Sequence, residues 1–95
     1  MDLANLTLGD FEPLVGDAFR TSAPVPVDLV LAEATSAGER PGGREPFRLH
    51  FRGPREPLLQ QSICRLEHAE LGALEIFIVP IRRDGESTTY EAIFT

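Results

Sequence analysis

The clearest pattern in the chain is a strict two-residue alternation. Phe47, Leu49 and Phe51 are apolar, and Arg48, His50 and Arg52 stand between them. Successive side chains of an extended strand point to opposite faces, so this segment predicts a half-buried strand with a cationic outer face. The same period recurs, less cleanly, through most of the chain after residue 17. Val25, Val27, Leu29 and Leu31 share one face of a β-branched run in which Pro26 marks an edge-like start. Asp17 to Ser22, carrying Phe19, predicts a strand before it. Ser62 to His68 predicts another, with Cys64 and Leu66 on the apolar side, and Thr88 to Phe94 a last one with Tyr90, Ala92 and Phe94 together. Leu74 to Arg82 differs, because its continuous apolar centre predicts burial on both faces.

The segments between these runs carry turn chemistry. Gly53-Pro54-Arg55-Glu56-Pro57 predicts a turn after the alternating strand, His68 to Gly72 a short hairpin loop, and Asp84-Gly85 a tight hairpin turn. Ser36 to Arg44, with Gly38, Pro41, Gly42 and Gly43, predicts a flexible loop. Only the N-terminal stretch reads as helix, over residues 6–16. Thr7 is a good N-cap, Asp10 stands three residues on as in a capping box, and Leu6 and Phe11 sit at staple positions. Pro13 keeps that helix short and Gly16 stops it. Five to seven short strands and one helix in 95 residues predict a mainly β fold, a small antiparallel barrel or sandwich, with the helix covering an end or an edge.

Length and composition place this fold in one domain, residues 1–95. The single cysteine, Cys64, forms no internal disulfide. The first residues lack the basic and apolar regions of a signal peptide, and no apolar run reaches the roughly 20 residues that span a membrane. The expected location is therefore the cytoplasm, or an assembly built there, with Asn5-Leu6-Thr7 a chance sequon. Net charge is −6, which argues against nucleic acid as a partner. All nine basic residues are arginine, and their placement is uneven. Residues 1–39 hold seven acids against one arginine, residues 40–55 hold five arginines against one acid, and residues 56–95 hold seven acids against three arginines. The basic charge is gathered in the middle of the chain.

Standard chemistries find few footholds. Zinc needs three or four well-spaced ligands, and the chain offers Cys64, His50 and His68, whose plain reading is a core cysteine and two surface histidines. A Cys64–His68 dyad places its members on one strand face about 13 Å apart at ~3.3 Å per residue, too far for a hydrogen bond. Glu67, Glu70, Glu75 and Glu91 read as the wet faces of strands. Gly42-Gly43 lacks the lysine and strand–helix context of a phosphate loop. No catalytic, cofactor-binding or metal residue is assigned, and no enzyme activity or small-molecule substrate is expected.

One feature remains as a candidate site. Arg48, His50 and Arg52, with Arg44 nearby, form a partner-binding stripe in which guanidinium forks meet an acidic protein surface. The competing reading is a solvated face paired across to glutamates on a neighbouring strand. Self-association is a variant, the basic middle of one copy meeting the acidic ends of another. A different function, a small-ligand-binding β-barrel, predicts a cavity lined by Phe47, Phe51, Phe77 and Phe94.

Several segments taken together carry a resemblance. They are Leu6-Thr7-Leu8-Gly9-Asp10-Phe11 with Leu14-Val15-Gly16, Phe47 to Pro54, and Arg65-Leu66-Glu67-His68 through Phe77-Ile78-Val79-Pro80 to Tyr90-Glu91-Ala92-Ile93-Phe94. The chain resembles a family of small bacterial proteins classed as a domain of unknown function, found near phage-tail-collar and microcystin-dependent-type fibre proteins. The resemblance implies a structural, adaptor or assembly role in a tail-like or fibre-like structure, and carries over no catalytic residue.

Overall fold

A computed structural model describes residues 5–22, 25–38 and 45–95. Six strands follow a short helical entry: β1 (Ala18–Thr21), β2 (Val27–Ser36), β3 (Phe47–Pro54), β4 (Ser62–His68), β5 (Gly72–Asp84) and β6 (Ser87–Phe94). They close into an antiparallel barrel in the order β1-β2-β3-β6-β5-β4. Sequence neighbours pair as hairpins everywhere except at two seams. β3 pairs with β6 across an intervening hairpin, and β1 pairs with β4 to close the ring. Closure removes the free edges that an open sheet exposes.

The alternation read from the sequence sets which side chains enter the barrel. Phe47, Leu49 and Phe51 are fully buried from β3, as are Leu29 and Leu31 from β2 and Leu66 from β4. Tyr90, Ala92 and Phe94 line β6, as their spacing predicts. Val25 is the exception on its predicted face, since it lies before β2 begins and is exposed. β3 runs on through Gly53 and Pro54 rather than turning there, because both residues register against Thr88 and Ser87 of β6. A Cβ at Gly53 would come within 2.5 Å of Leu29 Cδ2, so a larger residue there forces the buried Leu29 side chain to move.

β5 corrects the expectation of a strand buried on both faces. Leu74, Ile76 and Ile78 point inward, while Glu75 and Phe77 point to solvent. Its apolar centre is continuous because the outer face of β5 is itself apolar at Phe77, with Ile81 exposed further along. Phe77 is therefore not a lining residue of the interior. Pro80 fits within this strand because β4 pairing ends at Ser62↔Ile78, so its missing N–H faces no partner strand there.

The N-terminal helix is shorter than the 6–16 span expected. Helix α1 covers Leu8–Phe11, and a 3₁₀ turn covers Glu12–Leu14 with Pro13 in its first positions. Thr7 and Asp10 form the reciprocal capping box, Asp10 accepting from the Thr7 N–H at 2.8 Å. Gly16, at φ 100°, ends the turn and donates its N–H to the Leu31 carbonyl, which ties the entry to β2. Phe11 packs against Phe47 and Phe94, each at 5.7 Å between ring centroids, and so covers the barrel where β3 begins and β6 ends. Leu59, on the connection from β3 to β4, is buried, and its N–H donates to the Tyr90 hydroxyl at 3.0 Å. Residues 39–44, most of the predicted loop and including Arg44, lie outside the described residues. No helix among the described residues is long and apolar enough to cross a membrane.

Candidate docking face

The outer face of β3 carries Arg48, His50 and Arg52, and the barrel places a different pair of neighbours beside each. Arg48 stands between Thr35 of β2 and Ile93 of β6, His50 between Glu33 and Glu91, and Arg52 between Val30 and Thr89. His50 is half-buried and its Nε2 lies 2.9 Å from Glu91 Oε2. The middle of the stripe is thus paired across to a glutamate on the neighbouring strand. Its two ends are not.

Arg48 and Arg52 make no ion pair or hydrogen bond among the described residues, whereas every other described arginine is engaged. Arg20 meets Asp28 at 3.2 Å, Arg82 meets Asp84 at 2.7 Å, Arg83 meets Glu56 at 2.6 Å, and Arg65 reaches Glu67 at 3.7 Å. Arg55 donates to the Gly85 carbonyl at 3.2 Å. The two open guanidiniums sit four residues apart on one strand face, about 13 Å at ~3.3 Å per residue. Each offers five donors in a planar fork.

A family model matches residues 6–94, nearly the whole chain, and is described as a domain of unknown function, DUF6916. The chain belongs to the DUF6916 family. No curated protein and no solved structure matches it.

Elsewhere in this DUF6916 barrel the chemistry-bearing side chains are turned to structural use. His68 is a buried residue, not the surface histidine expected from the sequence. Glu70 and Leu71 donate their N–H groups to its Nδ1 at 3.0 and 3.3 Å, so the ring proton resides on Nε2, which donates to Asp17 Oδ2 at 2.8 Å. The ring also packs on Phe19, 4.7 Å between centroids. With both nitrogens committed, His68 has none left for Cys64. Cys64 is buried, its sulfur 3.6 Å from the Ser62 hydroxyl. Among the described residues no group of three or more His, Cys, Asp and Glu is gathered as for a metal ion.

The residues that sequence reading missed are apolar. Ile63, Phe77 and Ile93 project outward from β4, β5 and β6. A signal for Phe77 was present: Glu75 lies two residues back on the same face, and a carboxylate at i−2 marks that face as wet.

Proposed function

We propose that this DUF6916 protein is a non-enzymatic docking component, a structural or adaptor protein that binds an acidic protein partner through Arg48 and Arg52. The observation that carries the reading is the pair of open arginines. In a chain of net charge −6, acids are plentiful, yet these two guanidiniums are left without one among the described residues while five others are engaged. A carboxylate surface spanning about 13 Å engages both forks, which fixes orientation as well as affinity. The resemblance to proteins found near tail-collar and fibre-type proteins supports placing that partner in a phage-tail-like or fibre-like assembly.

The test uses affinity capture and then direct binding with the proteins encoded beside this chain, comparing wild type with the Arg48→Glu/Arg52→Glu variant. A partner bound by wild type, weakened by added salt and lost by the folded variant, is the expected result. A partner bound equally by both proteins removes the arginine face from the function.

A further inference from the structure

The outer wall on the other side of the barrel is built differently from the arginine face. Ile63 and Phe77 are 68% and 50% exposed. Ile63 and Phe77 are directly opposite each other in the β4–β5 ladder. Scattered exposed apolar residues are ordinary, but a bulky pair in register on adjacent strands makes one joined patch. Beside that pair, two residues along on the same face, Arg65 stands directly opposite Glu75. Glu75 makes no ion pair among the described residues. Arg65 reaches only Glu67, at 3.7 Å, with both side chains more than half exposed.

These two registered pairs have a symmetry consequence. A two-fold axis lying over the face, parallel to the strands and midway between β4 and β5, exchanges the two columns. It sets Phe77 over Ile63 of a second copy and Glu75 over that copy's Arg65, and makes both contacts again in reverse. The strands then run aligned between two sheets stacked about 10 Å apart. We propose that the outer face of β4 and β5 is an isologous interface between two copies of this chain. The margin carries both signs, Arg65 facing Glu75 with Glu67 beside it on β4, as a self-complementary contact requires, whereas the outer face of β3 carries Arg48, His50 and Arg52. A slip of two residues along the strands sets Glu75 over Ile63, so the paired charges also select the register.

This interface is separate from the arginine face and is tested separately. Sedimentation equilibrium of the purified full chain, from micromolar to millimolar concentration, is expected to show a species of twice the 10.5 kDa monomer mass. Phe77→Asp and Glu75→Arg are each expected to raise the dissociation constant at least about tenfold. The Arg65→Glu/Glu75→Arg double variant exchanges the charges and is expected to restore it. Circular dichroism checks the fold, and Ile63→Asp replaces Phe77→Asp if that variant does not fold. A monomer at every concentration overturns the proposal. So does a dimer that Phe77→Asp and Ile63→Asp leave intact, or a double variant no tighter than Glu75→Arg alone. Loss of the acidic partner in the arginine variant leaves the dimer unaffected, so the two conclusions stand or fall apart.

Discussion

The barrel has two seams that join strands distant in sequence, and they are held by different means. The β3–β6 seam is a full ladder of eight registered pairs, from Phe47↔Phe94 to Pro54↔Ser87. Its first pair stacks face to face, 4.6 Å between centroids and 5° between planes, with Phe11 of α1 laid over both rings. The β1–β4 seam has two registered pairs, Arg20↔Glu67 and Thr21↔Leu66. Side chains supplement its short ladder. Asp17, just before β1, accepts from His68 at the end of β4, and Phe19 of β1 packs on the same imidazole and on Phe51 at 5.3 Å. A four-residue strand supplies few backbone hydrogen bonds, so one buried histidine fastens two strands and the β4–β5 turn at once. The comparison teaches that a small barrel closes at its weakest ladder by spending a polar residue in the core, which is tolerated because every polar atom of the ring is partnered.

The largest expected effect comes from breaking the strong seam. Phe47→Ala removes the stacked partner of Phe94 and the floor beneath Phe11, and is expected to cost about 3–5 kcal/mol of stability by chemical denaturation. Against a domain stability of roughly 5–15 kcal/mol, that loss leaves a marginal fold. A cost under about 1 kcal/mol would show that the seam is held by its backbone ladder rather than by its rings.

His68→Phe tests the weak seam. The aromatic body over Phe19 is kept, while the acceptor for Glu70 and Leu71 and the donor to Asp17 are lost. The expected cost is about 1–3 kcal/mol, the range for leaving buried polar groups unsatisfied. A neutral outcome would mean that packing on Phe19 alone closes the barrel there.

The smallest effect sharpens the comparison without any substitution. Native-state hydrogen exchange is expected to rank the amides of β1 below those of β3 and β6 in protection, because opening the short ladder breaks fewer bonds. Equal protection at the two seams would make the barrel a single cooperative unit.

The docking faces show a parallel division. That Arg48, His50 and Arg52 share an outer face was legible from alternation alone, since period two is a local property of extended backbone. That His50 meets Glu91 while the arginines on either side of it meet no acid was not, because it depends on β6 lying beside β3 in one register. Phe77 shows the opposite failure. Its neighbours Ile76 and Ile78 are inward, and the continuous apolar run from Ile76 to Val79 outweighed the one local sign of the wet face, Glu75 two residues back. His68 was misread because its partners, Asp17 and the amides of Glu70 and Leu71, converge only when β1 and β4 meet.

By itself, then, the sequence determined the local grammar: six extended segments, the inward residues of β3 and β6, the capping box at Thr7 and Asp10, and the turns at Gly16 and Gly85. These follow from side-chain periodicity and backbone sterics over a few residues. Tertiary structure decided the barrel rather than a sandwich, the two long-range seams, the burial of His68, and which outward arginines and apolar side chains stand open to a partner. Those depend on which strand lies beside which, and hydrogen bonding between strands is made by backbone groups that every residue except proline shares, so no single residue type announces its neighbour.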